Sequence, residues 1–291
     1  MFRLDQLKRL NPFNKPPAPY TFIQNDITND CNIRCPFCNS DFSNIDKTIF
    51  MPKTTFEKVL KLLSLGHLTF YFSCGYEPTI HPQFIEFLEM IPDKFKGKTL
   101  FTTNLVKTLP DDTIDRLSRL KISHINISVE SFDPVIYESL RKGAKFASFI
   151  NNLQRLTAAF AKNPHAPKLR YIAMVLKANL HDLPQTLEAC YKKYLAQEFE
   201  FRGTHNKPIG DWQKQNFVTP QEWAKLERDL EPSPYQYRIL RFEDDADKKK
   251  TRKYIRVNAK GEVAASITGV RKTYDLNTID DPYPFFRDLA L

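Results

Sequence analysis

From about Thr21 onward, short runs rich in β-branched and aromatic residues alternate with segments whose apolar positions recur at helical spacing. The strand-like runs are Thr21–Thr28, Leu68–Cys74, Lys98–Asn104, His124–Glu130, Leu169–Leu176 and Glu198–Gly203. Between them lie amphipathic stretches. One begins at Phe56, with Thr54 or Thr55 placed to cap it, and the others cover Phe84–Met90, Thr113–Leu120, Phe146–Phe160 and Leu183–Tyr194. Strands that alternate with helices pair in parallel through right-handed crossovers. Six such units are too few for a closed eightfold barrel, so the pattern predicts an α/β fold built as an open, partial (β/α)6 barrel. In such folds the reactive groups gather at the C-terminal ends of the strands.

The pattern changes at both ends. Residues 1–19 read as a lead-in that closes with Pro16-Pro17-Ala18-Pro19, residues 20–230 as the barrel, and residues 231–291 as a C-terminal extension. Thr219, Pro220 and Glu222 form a helix-start signature of N-cap, first-turn proline and capping-box acid. A charged linker follows, and then a hairpin predicted to turn at Lys260-Gly261.

Composition adjusts this picture modestly. Hydrophobic residues make up 42% of the 291 and include 23 phenylalanines, enough for a sizeable core. The net charge of +9 favours anionic partners such as a phosphorylated small molecule or a nucleotide, or else describes a solvated basic surface. The one basic run, Lys248-Lys249-Lys250 with Arg252 and Lys253, lies beside Glu243, Asp244, Asp245 and Asp247. It reads as an exposed loop, which argues against a nucleic-acid partner. No apolar run approaches the roughly 20 residues a membrane span needs, and charges interrupt the N-terminal apolar residues. A cytoplasmic, membrane-free protein is the expectation. Five cysteines with three clustered do not suggest a disulfide framework, and a reducing compartment leaves them free to bind metal.

Those three, Cys31, Cys35 and Cys38, follow the first strand directly and place three thiols in one loop. Zinc sites usually take four protein ligands, often as two separated pairs, and no second pair is present because Cys74 and Cys190 are distant in sequence. Three thiolates suit a four-iron, four-sulfur (4Fe–4S) cluster with one iron left open to a ligand. Zinc and plain structural cysteines are the competing readings.

The spacing of three and then two residues, with Phe37 before the last cysteine, resembles the signature of the radical S-adenosylmethionine superfamily. The resemblance runs from about Thr21 to Leu230. Ser73-Cys74-Gly75-Tyr76-Glu77-Pro78 is similar to the superfamily's Gly-Gly-Glu-Pro segment, which binds the amino group of the methionyl moiety, with Tyr76 in place of a glycine. Glu77 and loop carbonyls are the implied acceptors for that ammonium. Thr102-Thr103-Asn104 is similar to its Thr-Asn-Gly segment. Ser128 and Glu130 resemble its ribose motif, Arg141 falls where an arginine meets the cofactor carboxylate, and the segment around Asn179 resembles the stretch that flanks adenine. Taken singly, Glu77, Ser128 and Glu130 read as ordinary loop and strand-end residues. Their order and their placement at strand ends carry the likeness.

The resemblance implies one 4Fe–4S cluster, S-adenosylmethionine and a flavodoxin- or ferredoxin-type electron donor. The cluster would cleave the cofactor reductively to a 5′-deoxyadenosyl radical that takes a hydrogen atom from a substrate. The C-terminal extension resembles that of SPASM-type members, but no cysteine follows Cys190, so a structural role in closing the barrel is expected without an auxiliary cluster. The short lead-in is too small for a peptide-recognition domain. A small-molecule substrate, phosphorylated or nucleotide-like, is therefore the leading expectation. Modification or epimerisation of a ribosomal peptide is the alternative, and a non-catalytic iron–sulfur protein is a third. Arg202, His205 and Lys207 are candidate substrate contacts, His205 as an acid–base group or a plain surface residue. Cys74 and Tyr76 stand beside the cofactor segment and are candidates to return a hydrogen atom. The plainer reading of Cys74 is a small buried residue at a strand end.

Overall fold

The computed structural model describes residues 18–40, 42, 45–203, 210–241, 253–267 and 269–290. Six βα repeats lead the chain. Strands β1 (Tyr20–Asn25), β2 (Gly66–Phe72), β3 (Thr99–Thr103), β4 (His124–Ser128), β5 (Lys168–Met174) and β6 (Ala196–Arg202) lie side by side in chain order, all parallel. The helices between them are α1 (Lys53–Leu62), α2 (Phe84–Met90), α3 (Asp93–Lys96), α4 (Asp111–Arg119), α5 (Pro134–Leu140), α6 (Phe146–Phe160) and α7 (Leu183–Lys193). The expected α/β fold with an open parallel sheet is present, and the strand and helix positions follow the periodicity closely.

Helices α3 and α5 were not expected from the sequence, and other details also differ from that reading. Helix α1 starts at Lys53 after Pro52, and no side chain caps it. Thr55 is buried, and its hydroxyl donates instead to Asn277 Oδ1 at 2.8 Å. The expected charged linker contains a short strand, β7 (Arg238–Leu240), parallel to β6. Helix α8 (Asp211–Asn216) precedes the well-capped α9 (Pro220–Leu230) and was not signalled by periodicity. The extension does not close the barrel. Strands β8 (Tyr254–Val257), β9 (Glu262–Ile267) and β10 (Val270–Asp275) widen the sheet beyond β1, giving the order β10-β9-β8-β1-β2-β3-β4-β5-β6-β7, in which β10 and β7 are the edges among the described residues. The hairpin does turn at Lys260-Gly261, where Gly261 adopts φ 86°.

Two-residue alternation sorts the side chains. On β4, Ile125 and Ile127 enter the hydrophobic core, while His124, Asn126 and Ser128 take the opposite face. On β6, Phe199 and Phe201 enter the core, and Glu198, Glu200 and Arg202 face the other way. The core is aromatic: Phe56 stacks on Phe87 at 4.5 Å, and Phe72 meets Phe56, Phe70, Phe84 and Phe101. With the apolar side chains sent to the core, the opposite face keeps the polar groups.

The C-terminal segment is held by a lysine. Lys58 on α1 donates its ammonium to the carbonyls of Leu276, Asn277 and Ile279 at 3.1, 2.9 and 2.8 Å, just before helix α10 (Pro282–Leu289). Hydrogen bonds from a charged donor are worth more than neutral ones. Lys58→Met keeps the apolar stem and removes the three bonds. It should lower stability by about 1.5–3 kcal/mol in urea denaturation.

Candidate active site at the strand ends

The C-terminal ends of the strands surround a cavity of about 370 Å³. Its walls include Cys31, Cys35, Cys38 and Phe37 from the loop after β1, Cys74, Gly75, Tyr76 and Glu77 after β2, Asn104 after β3, Ser128, Glu130 and Arg141 from β4 and its loop, and Arg202 from β6. These residues come from positions scattered across 171 places of sequence, and the parallel topology brings them to one rim. Phe37 approaches Trp212 of α8 at 6.5 Å, and Tyr76 meets Phe42 edge-on at 6.1 Å. His205 and Lys207 lie outside the described residues.

Asp30 organises the cysteine loop. Its carboxylate accepts the Cys31 N–H at 2.7 Å, the Thr48 hydroxyl at 2.6 Å and the Arg34 guanidinium at 2.8 Å. Arg34 also donates to the carbonyls of Cys31 and Ile33 and sits over the Phe42 ring. Burial pushes the Cys31 thiol up to about 11 and the Cys35 thiol up to about 12, and the sulfurs are near enough to reinforce one another. Unmetallated, both are neutral thiols, and metal binding must displace their protons. Among the described residues no three His, Cys, Asp or Glu side chains converge as a single-ion site. The three thiols line one cavity instead. That donor set fits a cluster, in which each thiolate takes a separate iron, better than one zinc ion.

Glu77 lines the cavity and also ties loops together. It is 2% exposed, and its carboxylate already carries four donors. Oε1 accepts from Thr79 N at 3.2 Å, Thr79 Oγ1 at 2.7 Å and Thr103 Oγ1 at 2.8 Å, and Oε2 accepts from Asn104 N at 2.6 Å. Burial pushes its carboxyl up, against the pull of those hydrogen bonds. The carboxylate therefore ties the loop after β2 to the end of β3. Asn104 in turn donates to Cys31 Sγ at 3.4 Å and to Asn32 Oδ1 at 2.8 Å, which links the β3 loop to the cysteine loop. The next residue, Leu105, adopts φ 54°, in the left-handed region that favours glycine.

Glu130 and Arg141 pair with each other. Arg141 donates Nε to Oε2 and Nη2 to Oε1, the second at 2.9 Å, and both side chains are buried. Asn179 closes the same corner, donating to the carbonyls of Glu130 at 2.8 Å and Met174 at 3.0 Å. Arg202 differs from Arg141. Both of its bonds go to one oxygen of Glu200, at 3.0 and 2.6 Å, and its side chain is 38% exposed. A ladder of alternating charge stands behind it: Glu198 meets Arg170 at 2.6 Å and Arg170 reaches Glu200 at 3.5 Å, while His124, which burial pushes toward the neutral form, meets Glu198 at 3.0 Å. Cys74 accepts a hydrogen bond from the Thr102 hydroxyl at 3.5 Å, Thr102 accepts one from Asn126, and burial pushes the thiol up to about 12.

Sequence reasoning missed the groups that hold these residues. Thr79 and Thr103 serve Glu77. Asn152 of α6 donates to the carbonyls of Leu105 and Lys107. Asp26 accepts the N–H groups of Cys74 and Gly75 at 3.0 and 2.8 Å. For Asp26 a signal was available, since Phe22, Gln24 and Asp26 share one parity at the end of the first strand and point away from the core face of Ile23.

A model of the radical SAM superfamily matches residues 25–190. A probable GTP 3′,8-cyclase of Methanocaldococcus jannaschii is 23% identical over 164 residues, which are 56% of this chain and 53% of that protein. A GTP 3′,8-cyclase of Haemophilus influenzae is 26% identical over 182 residues, 60% of this chain and 49% of that protein. The matched region thus spans about half the length of these relatives. Among solved structures, Streptococcus suis SuiB bound to S-adenosylmethionine aligns with a TM-score of 0.67 and 14% identity, over 93% of this chain and 68% of that one. Native anSMEcpe with bound AdoMet aligns with a TM-score of 0.62 and 16% identity, over 89% and 75%. At such identities the structures speak for the fold.

The Glu77 tie is open to a direct check. Whichever way a glutamine amide turns at position 77, its NH2 faces a backbone N–H, of Thr79 or of Asn104, that cannot reverse. Glu77→Gln should cost about 1–3 kcal/mol in chemical denaturation. A variant as stable as the parent would mean that the four bonds do not hold these loops.

Proposed function

The chain belongs to the radical SAM superfamily, and on that premise we propose that it abstracts a hydrogen atom from an anionic small molecule, phosphorylated or nucleotide-like. Cys31, Cys35 and Cys38 are the superfamily's cluster cysteines in this chain, and S-adenosylmethionine is its second cofactor. When bound, the cluster and S-adenosylmethionine supply the deoxyadenosyl radical. The protein's own residues bind, orient and exclude water.

The observation that carries the substrate reading is Arg202. It lines the cavity, Glu200 holds it through a single oxygen, and its side chain is 38% exposed. A fork of parallel N–H donors held in this way suits a phosphate or carboxylate. The charge ladder behind it fixes its direction in advance, which lowers the ordering cost of binding. The sequence relatives are GTP 3′,8-cyclases by name, which agrees with a substrate of this class.

Cys74 carries the second part of the proposal. Thr102 donates to its sulfur, so the thiol hydrogen is not used on Thr102. The S–H can pass a hydrogen atom to a substrate carbon radical, leaving a sulfur radical that one electron and one proton restore. A flavodoxin- or ferredoxin-type protein is the proposed electron source.

Reconstituted protein incubated anaerobically with S-adenosylmethionine and dithionite should form 5′-deoxyadenosine. Cys35→Ala should lose both the iron–sulfur absorbance and the cleavage, and retention of both would overturn the cluster assignment. GTP should bind more tightly than guanosine. Arg202→Ala should remove most of that preference, about tenfold or more in Kd. Equal affinity of the parent protein for GTP and guanosine would overturn the anionic-substrate reading.

A further inference from the structure

Asp26 stands behind the cavity wall. It is not one of the lining residues, but Cys74 and Gly75, whose backbone N–H groups it accepts, are. Its Oδ1 accepts two successive backbone N–H groups, from Cys74 at 3.0 Å and Gly75 at 2.8 Å, and the Ser73 hydroxyl at 3.4 Å. Its Oδ2 accepts from Gln24 at 3.3 Å. Two successive amides on one oxygen form a small anion-holding turn. Ser73 pays for this turn with φ 61°, the left-handed region, although it is buried and carries a side chain. Gly75 gives the Asp26 carboxylate room. A Cβ there would lie 3.1 and 3.3 Å from the two Asp26 oxygens, closer than such contacts normally come.

The consequence follows from peptide geometry. The chain has no cis peptide bonds, and in a trans peptide the C=O points opposite to the N–H of the same unit. The Gly75 N–H shares its peptide with the Cys74 carbonyl. With that N–H directed back at Asp26, the Cys74 carbonyl is directed away from Asp26, and both Cys74 and Gly75 line the cavity. The preceding carbonyl, of Ser73, is taken by the Thr102 N–H at 3.1 Å. The Gly75 carbonyl accepts the Ser40 hydroxyl at 3.1 Å. The Glu77 carboxylate, the acid nearest in sequence, already takes three donors on Oε1 and one on Oε2.

We infer that Asp26 is a positioning residue for S-adenosylmethionine: by clamping the amides of Cys74 and Gly75 it aims the Cys74 carbonyl at the ammonium of the methionyl group. The inference rests on the cofactor reading above and adds a residue outside the cavity wall. Asp26 does not touch the cofactor. It determines which backbone atom does, and its removal frees the turn to relax from the strained Ser73 conformation.

The test compares two ligands on anaerobically reconstituted full-length protein by equilibrium binding. One is S-adenosylmethionine. The other is 5′-methylthioadenosine, which keeps the adenosine and the sulfur but lacks the amino acid. Asp26→Ala should weaken S-adenosylmethionine about tenfold while 5′-methylthioadenosine stays within about twofold, because only the first has an ammonium to lose. Asp26→Asn keeps an oxygen acceptor for both amides and should stay within about threefold of the parent for both ligands. Gly75→Ala, which drives a Cβ against the carboxylate, should reproduce the Asp26→Ala pattern from the other side. Cluster absorbance should be retained in all three. Unchanged S-adenosylmethionine affinity in Asp26→Ala or Gly75→Ala would overturn the inference, as would equal weakening of both ligands. An Asp26→Asn variant as weak as Asp26→Ala would assign the effect to charge and overturn positioning. Parent protein that binds neither ligand would overturn the cofactor reading itself.

Discussion

The carboxylate of Glu77 is the contact on which the site depends. A parallel sheet delivers its strand ends to one edge, but it does not fix the loops that leave that edge, because the last peptide groups of each strand lose their ladder partners. Glu77 takes up two such N–H groups and two hydroxyls from the loop after β2 and the end of β3. Through Asn104 the same tie reaches the cysteine loop. Asp26 and the Glu130–Arg141 pair repeat the device after β1 and β4. Each buried carboxylate costs desolvation, offset by donors already in place. The result is a rim whose loops are set before any cofactor arrives.

This arrangement explains what could be read from the sequence. Helix α6 runs over Phe146–Phe160 and α2 over Phe84–Met90, the residues expected from periodicity, because both bury an apolar stripe. The cysteine spacing and the Ser128–Glu130 and Asn104 segments could be read because they are local in sequence. Partnerships could not. Nothing local pairs Glu77 with Thr103, and Lys58 meets Asn277 across 219 positions. The parallel seam of β8 on β1 joins segments more than 200 residues apart, and a four-residue strand carries too little pattern to announce its neighbour. Thr55 had the residue type of a cap, but burial against Asn277 decided its role.

Charge gives a similar lesson. The excess of nine positive charges says nothing about where an anion would sit. At the cavity, Arg141 has both oxygens of Glu130 and Arg202 has one oxygen of Glu200. The two guanidiniums share a residue type and a wall, yet one is committed and the other only braced. The difference comes from pairing geometry and exposure, not from composition.

The rim also carries strain where a glycine would avoid it. Ser73 and Leu105, with φ 61° and 54°, follow β2 and β3 and flank the Glu77 tie on either side. A left-handed residue with a side chain costs about 1–2 kcal/mol. Leu105 is 2% exposed, and burying a leucine returns roughly 1.5–3 kcal/mol, so at that position the strain is covered by packing. Ser73 has no such apolar return. It keeps its conformation because its neighbours over-determine it: its N–H goes to the Asn25 carbonyl at 2.6 Å, its carbonyl takes the Thr102 N–H, and Asp26 holds the two amides that follow. Strain held by hydrogen bonds alone is released when one partner is lost, whereas strain covered by packing is not. The loop after β2 is therefore the part of this rim most sensitive to a single polar substitution, and it is also the loop that carries Cys74, Gly75 and Tyr76 into the cavity.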